Sequence, residues 1–384
     1  MSFIKGAGYK RVLIIAGEAS GDQHGAKLVS RVRAVNPTVQ FLGMGGEAMR
    51  AAGVDIRVDA KDMAVVGIIE IFAHIFPIFR AWRILATILR QNPPDLLILI
   101  DYPTFNLMLA KVAKKHGIRV LYYISPQVWA WHRSRIKTIA QRVDKMLVVF
   151  PFEEALYRAH GVPVEYVGHP LAGRVKADKD CAELRQAQSI AATAVVIGLL
   201  PGSRSGEIRR LLPTLLIVTE QLQQRYANAV FVLPLASSLS LQDVQPYLQQ
   251  SAVKVKVITG QFYNTVALCD AVIVASGTAT LEVALLLKPM VIVYKIAVST
   301  YYIGKLLIQT PYLGLCNIVA DKAVVRELIQ HQASAENITA EISRILDDRD
   351  YRQQMQQALQ SVQQRLGEGD GTERAAQIVV DMLQ

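Results

Sequence analysis

Cysteine is scarce in this chain of 384 residues: Cys181, Cys269 and Cys316 are the three, and they lie far apart. They form no C-x-x-C pair and no cysteine–histidine group at zinc-ligand spacing. That excludes a disulfide framework and a zinc module, and it fits a reducing, cytosolic setting. Met1 to Lys10 holds no apolar signal core ahead of the first strand-like run. No internal repeat and no low-complexity segment is present, and none of the standard nucleic-acid motifs occurs. The net charge of +10, from 42 basic and 32 acidic residues, is moderate for this length. It favours anionic partners such as phosphates or an anionic membrane surface without choosing among them.

An uninterrupted membrane-spanning run is missing too. Met63–Phe79 is rich in Val, Ile and Phe, and its apolar character continues past Arg80 and Arg83 to Leu89. Glu70, His74 and Pro77 interrupt it, whereas a spanning helix needs about 20 mostly apolar residues. A transmembrane helix is therefore excluded. Two readings stand: a buried helix or strand of the core, or an exposed apolar patch that dips into a bilayer surface with Arg80, Arg83 and Arg90 near the headgroups.

What the chain does have is alternation. Short apolar runs, Val12–Ala16, Val39–Leu42, Leu96–Ile100, Val120–Ile124 and Met146–Phe150, are separated by helical patterns such as Gly25–Val35 and Phe105–His116. A polar stretch, Lys176–Gln188, follows and reads as a linker. The alternation then resumes with Val195–Leu200, Val230–Pro234, Val255–Ile258, Ala271–Val274 and Met290–Val293. This predicts two doubly wound α/β domains with parallel sheets, residues 1–175 and 189–365. A last helix over 372–384 either packs back on the first domain or is exchanged with a second chain. Ligands of open parallel sheets bind outside the carboxyl ends of the strands, so two such domains facing each other predict an interdomain cleft lined by those loops.

In the first domain the loops are Gly-rich or carry isolated polar groups. Gly17-Glu18-Ala19-Ser20-Gly21-Asp22 matches neither G-x-G-x-x-G nor a P-loop. It is either a turn with Ser20 or Asp22 capping a helix, or a cleft wall where Glu18, Ser20 and the backbone at Gly21 meet a polar ligand. Gly43-Met44-Gly45-Gly46 is a weaker version. Asp101 follows Leu96–Ile100, which reads as a buried central strand; it is a helix cap or a general base. Trp129 and Trp131, in Ser125-Pro126-Gln127-Val128-Trp129-Ala130-Trp131, do not share one helical face, so they are core packing or contacts to an acyl chain or sugar ring. Arg133, Arg135, Lys137, Arg142 and Lys145 make the next helix a solvated basic face or a membrane- or phosphate-facing patch. His169, in Gly168-His169-Pro170, is structural or titrates at the cleft.

Two turns in the second half point to a nucleotide diphosphate. Ser276-Gly277-Thr278-Ala279-Thr280-Leu281-Glu282 follows a strand and opens a helix. Small residues there admit close backbone approach. The helix start offers unpaired N–H groups, and Ser276, Thr278 and Thr280 can add donors. Glu282 can accept bonds from a sugar diol. The second turn, Pro201-Gly202-Ser203-Arg204, offers Gly202, Ser203 and a guanidinium at Arg204 for bidentate pyrophosphate binding; the alternative is a surface arginine paired with Glu207. Asn317, inside Leu315-Cys316-Asn317-Ile318, binds ligand or caps a turn.

Ala16–Asp22, Ile100-Asp101-Tyr102-Pro103, Ser125–Trp131, Gly168-His169-Pro170, Leu200–Arg204 and Ser276–Glu282 occur in the order found in the lipid-A-disaccharide synthase family. The chain resembles that family from the first strand to about Ala320. The Ser-Pro-Gln-Val-Trp-Ala-Trp string is the most specific single match. The resemblance implies a GT-B inverting glycosyltransferase of Gram-negative bacteria with no metal and no cofactor. It would join UDP-2,3-diacylglucosamine to 2,3-diacylglucosamine 1-phosphate (lipid X), giving the β(1→6) disaccharide 1-phosphate and UDP. On the same resemblance Asp101 is the base, and Arg204, Glu282 and Asn317 serve the nucleotide. It further implies peripheral association with the inner membrane through Met63–Phe79, and homodimers in some members by exchange of C-terminal segments. One departure is Cys316, at a position where the family has proline before the asparagine. Two alternatives remain: another GT-B enzyme on UDP-GlcNAc-type substrates (a 2-epimerase or a peptidoglycan-lipid glycosyltransferase), and a non-enzymatic, membrane-associated UDP-sugar-binding module.

Overall fold

The computed structural model describes residues 9–63, 71–130, 134–297, 310–367, 369 and 371–384. The chain divides into two compact units, Met1–Pro170 with Gly369–Gln384, and Leu171–Glu368. The first runs β1 (Lys10–Ala16), α1 (Ala19–Val35), β2 (Val39–Gly45), α2 (Glu47–Ala51), β3 (Asp55–Asp59), α3 (Ile71–Gln91), β4 (Leu96–Ile100), α4 (Pro103–Lys115), β5 (Arg119–Tyr123), α5 (Arg135–Arg142), β6 (Lys145–Val148), α6 (Pro151–Arg158) and β7 (Val164–Tyr166). The second runs α7 (Cys181–Ala187), β8 (Val195–Leu200), α8 (Ser205–Arg225), β9 (Ala229–Leu235), α9 (Leu241–Leu248), β10 (Val255–Thr259), α10 (Phe262–Leu268), β11 (Ala271–Ala275), α11 (Thr278–Leu285), β12 (Met290–Tyr294), α12 (Leu315–Ala320), β13 (Glu327–Ile329), α13 (Ala335–Asp347) and α14 (Arg349–Leu366). The final helix, α15 (Thr372–Leu383), returns to the first unit.

The first sheet has the order β3-β2-β1-β4-β5-β6-β7 and the second β10-β9-β8-β11-β12-β13, with every pairing parallel. Central strands of such sheets are covered on both faces and read as continuous apolar runs; all five residues of β4 are fully buried. Alternate residues of one strand feed different cores. Leu97 and Leu99 pack with α3 and α4, while Leu96, Ile98 and Ile100 pack with α1 and α15. Helix α15 sets Ala375, Ala376, Val379 and Leu383 into that second core and is tied at its start by Arg374–Glu165 (2.6 Å).

Three strands, β3, β7 and β13, are absent from the apolar runs of the sequence. All three are short sheet edges whose residues are mostly half-exposed, so no continuous apolar run marks them. The polar stretch 176–188 is part of the second unit rather than a free tether. Within it Leu184 of α7 is buried, and the Asp178 N–H donates to Asn264 Oδ1 at 2.9 Å. Of Met63–Phe79, residues 64–70 lie outside the described residues, as do Trp131, His132 and Arg133. Met63 ends a short 3-10 turn, and residues 71–79 lie in α3, where Phe76 and Phe79 are 79% and 56% exposed. No helix among the described residues is long and apolar enough to cross a membrane.

In each sheet the strand order reverses once, between β1 and β4 and between β8 and β11. Loops leaving the carboxyl ends of strands at such a reversal diverge and leave a crevice. The segments after β1, β4, β8 and β11 are Gly17–Asp22, Asp101–Pro103, Pro201–Arg204 and Ser276–Glu282.

Candidate active site

In the first unit Ala16 pairs with Ile100 and Ile100 with Tyr123, so residues 17, 101 and 124 leave three neighbouring strands side by side. The backbone there is bent in an unusual way. Asp101, Tyr102 and Ile124 have φ of +45°, +46° and +62°, a region side chains avoid and β-branched ones most of all. Surrounding bonds hold the bend. Asn106 Nδ2 donates to the Asp101 carbonyl at 2.6 Å and to the Ile100 carbonyl at 3.1 Å, and the Tyr122 hydroxyl also donates to the Asp101 carbonyl. Pro103 then starts α4, where no N–H is needed.

The Asp101 carboxyl is pushed up to about 6 by burial first and by the neighbouring Glu18 carboxylate second, against a bond from the Tyr102 N–H. A carboxylate just ionised at neutral pH is suited to accept a proton in a transition state. Glu18 and Ser20 are exposed at the start of α1, and Gly21 is buried against Ala16 and Ile100. Asp22 does not cap its own helix. Its carboxylate accepts from the N–H groups of Gly46 (2.7 Å), Ala48 (3.0 Å) and Met49 (3.1 Å), so it caps α2 and fixes the Gly43–Gly46 turn.

The Trp129 side of the loop is core. The ring is 7% exposed and packs edge-on against Phe150 and Phe152, and its Nε1 donates to Glu153 at 3.2 Å. Glu153 was not among the residues expected to matter. Its place at the third position of α6, where it accepts from the Phe150 N–H at the helix start, makes it one half of a capping box, since phenylalanine has no side-chain acceptor to complete the other half, and only the fold shows it beneath the Ser125–Trp129 loop. His169 is also buried, against Phe150 at 4.8 Å between ring centres. Burial, then His24, lowers it to about 4, so it is neutral at physiological pH.

In the second unit the turns are built on glycine. Gly202 (φ +121°) and Gly277 (φ +154°) occupy conformations closed to other residues. A β-carbon at Gly202 would also lie 2.2 Å from a Glu207 oxygen. Glu207 Oε2 accepts from Ser203 N (2.8 Å), and the Ser238 hydroxyl donates to the Ser203 carbonyl (2.6 Å), which braces the turn. Arg204 is the residue before α8. Its side chain is 84% exposed and pairs loosely with Glu207 at 3.6 Å, so the surface pair is present and the guanidinium remains accessible. Gly277 and Thr278 are exposed at the start of α11, with open space over Gly277. Glu282, half-buried, accepts from the Tyr263 hydroxyl at 3.0 Å; burial raises its carboxyl and that bond opposes the rise.

Three expected ligand groups are instead internal braces. Thr280 is fully buried; its hydroxyl donates to the Gly277 carbonyl (2.8 Å) and accepts from Leu315 N (3.1 Å). The Ser276 hydroxyl donates to the Leu313 carbonyl at 3.1 Å. Asn317, fully buried, has a saturated side chain. Nδ2 donates to the Val325 carbonyl (2.9 Å) and Glu327 (2.8 Å), and Oδ1 accepts from Val324 N (2.9 Å) and Val325 N (3.0 Å). A primary amide has two donor hydrogens and two acceptor sites, so this side chain has nothing left for a nucleotide. Glu327 completes the brace by accepting from Leu313 N and Gly314 N, each at 2.9 Å. Accessible at these turns are Ser203, the backbone and hydroxyl at Thr278, the backbone at Gly277, the half-buried Glu282 and the guanidinium of Arg204.

The first unit also carries a groove of about 1630 Å3 away from these strand ends, in which Phe76, Phe79 and Ile84 of α3 mix with Arg57, Arg80 and Arg83.

Two parallel Rossmann-like sheets, each with its singled-out loops at the strand-order reversal, define a GT-B type architecture. Solved structures of that kind match along nearly the whole chain. The UDP-GlcNAc 2-epimerase of Neisseria meningitidis bound to UDP-GlcNAc has a TM-score of 0.61 at 14% identity, covering 97% of this chain and 99% of that one. MurG of Acinetobacter baumannii gives 0.59 at 14% identity, covering 97% and 99%. These likenesses carry the fold. The profile of lipid-A-disaccharide synthetase matches residues 12–380. Curated proteins called lipid-A-disaccharide synthase are similar at 52% identity in Geobacter sulfurreducens, covering 97% of each chain, and at 40% in Coxiella burnetii, covering 97% of this chain and 99% of that one. The chain belongs to the lipid-A-disaccharide synthase family.

Proposed function

We propose that this chain is an inverting glycosyltransferase that joins UDP-2,3-diacylglucosamine to 2,3-diacylglucosamine 1-phosphate, releasing UDP and the β(1→6) disaccharide 1-phosphate. The family match along almost the full length carries this reading; the epimerases share only the fold, at 11–14% identity. Asp101 takes the proton from the acceptor 6-hydroxyl as the oxygen attacks the anomeric carbon on the face opposite UDP, which inverts that carbon in one step. The second unit holds the nucleotide. Backbone N–H groups at the starts of α8 and α11 and the Arg204 guanidinium meet the charge that builds on the departing diphosphate, and Glu282 accepts from the ribose hydroxyls. No metal is needed for that step. The diacylated substrates place the enzyme on the inner-membrane surface, with Met63–Phe79 and nearby arginines as the contact; the exposed Phe76 and Phe79 beside Arg80 and Arg83 support this. The test is mass spectrometry of products from purified protein given both diacylated substrates. A disaccharide 1-phosphate and stoichiometric UDP are expected. UDP release from a single substrate, or epimerised sugar alone, would overturn the reading.

A further inference from the structure

We propose that Glu153 is a positioning residue for the transfer: its carboxyl clamps the 125–129 loop to the β6–α6 turn, so that the loop presents Gln127 to the acceptor sugar. This rests on the assigned reaction and on the first unit's binding the acceptor. Glu153 is 1% exposed. Its two oxygens gather three donors from two segments: Oε1 accepts from the Ser125 hydroxyl (2.8 Å) and Trp129 Nε1 (3.2 Å), and Oε2 accepts from Phe150 N (3.1 Å). The Tyr157 hydroxyl adds a fourth polar group, 3.0 Å from that of Ser125.

No arginine or lysine pairs with Glu153 among the described residues. Burial pushes its carboxyl up to about 7. A buried acid without a cation is a poor source of stability, and an apolar side chain would fill the space at less cost. What the acid supplies is direction, because its bonds fix both ends of the loop.

The loop begins beside the proposed base. Ile100 pairs with Tyr123, Ile124 takes the left-handed bend next to that of Asp101, and Tyr122 bonds the Asp101 carbonyl. From Ser125 to Trp129 every residue is buried except Gln127, which is exposed. A five-residue loop with one free amide, anchored at both ends, is a recognition element: amide groups read sugar hydroxyls, and the clamp removes the cost of ordering them.

Steady-state kinetics on the full chain test this, with Glu153→Gln, Trp129→Phe, Gln127→Ala and the Glu153→Gln/Gln127→Ala double variant, each corrected for its folded fraction. Glu153→Gln should raise the acceptor KM about tenfold and leave the donor KM within about twofold. Trp129→Phe keeps the ring packing and loses one donor, so a rise of about threefold is expected. Gln127→Ala should match Glu153→Gln, and the double variant should show much less than the product of the two effects. Acceptor KM values within twofold of the parent's in Trp129→Phe and Gln127→Ala, with activity following only the folded fraction, would overturn the proposal even if Glu153→Gln did not fold. A parent enzyme that makes no disaccharide would instead overturn the assigned reaction, and the two failures are distinguishable.

Discussion

The two sheets share one topology, yet the loops at their reversals are built in opposite ways. In the first unit, residues with side chains, Asp101, Tyr102 and Ile124, are held at positive φ by Asn106 and Tyr122. In the second, Gly202 and Gly277 take the positive-φ positions, and the Ser276 and Thr280 hydroxyls are occupied by the carbonyls of Leu313 and Gly277. Strained residues aim a side chain; glycine turns expose a backbone. The first unit's bend thus positions a half-buried carboxyl, and the second unit's turns leave backbone N–H groups and one guanidinium accessible. On the proposed reaction, the first unit supplies the proton chemistry and the second the charge neutralisation.

That contrast can be broken. The largest effect is expected for Asp101→Asn: turnover should fall by about a thousandfold, while UDP affinity, measured by calorimetry, stays the same. Near-normal turnover would remove the base from the scheme. Next, Arg204→Ala should lower kcat/KM for the donor by about 10–100-fold and weaken UDP binding in step; an unchanged UDP affinity would mean that the exposed guanidinium faces solvent only. A smaller effect is the acid limb of the pH profile. With Asp101 titrating at about 6, kcat/KM should drop by about tenfold per pH unit below that value, and a limb near 4 would show that the raised carboxyl is not the group at work.

Asp101 also bears on stability. Its folded pKa lies above the unfolded value, so its contribution is full below about 4 and is lost as pH rises through about 6. At pH 7 Asp101→Asn should therefore stabilise the fold by about 1–2 kcal/mol in denaturant titrations. The sharpest test of the second unit is Asn317→Ala. It should cost about 2–4 kcal/mol of stability, because the buried partners of a saturated amide lose their bonds. UDP affinity per folded molecule should stay within about twofold; a selective loss of UDP binding would restore Asn317 as a ligand contact.

How much of this was legible in the sequence follows from where each residue sits. The central strands declare themselves because burial on both faces requires unbroken apolar runs, as in Leu96–Ile100. The edge strands Asp55–Asp59, Val164–Tyr166 and Glu327–Ile329 do not, since one side faces water and they borrow their pairing from a neighbour. Asp101 and the glycine turns were readable from turn chemistry at strand ends. Thr280 was expected to face a ligand and Asn317 to bind ligand or cap a turn, and both bond the protein itself; in sequence, a polar side chain near a turn looks the same whether its partner is a ligand or the protein's own backbone. Asp22 and Glu153 were read as local caps or passed over, because their partners lie 24 to 28 residues away in sequence.

The first unit is discontinuous, and this has a consequence for synthesis. Leu383 and Val379 share a core with Val12 and Ile14, so residues translated about 370 positions apart must meet. Until residues 372–383 emerge from the ribosome, part of one face of the first sheet, the part α1 does not cover, stays exposed, whereas Leu171–Glu368 is complete sooner. A nascent chain stalled before residue 372 should therefore hold a protease-resistant second unit beside a first unit that is still readily cleaved.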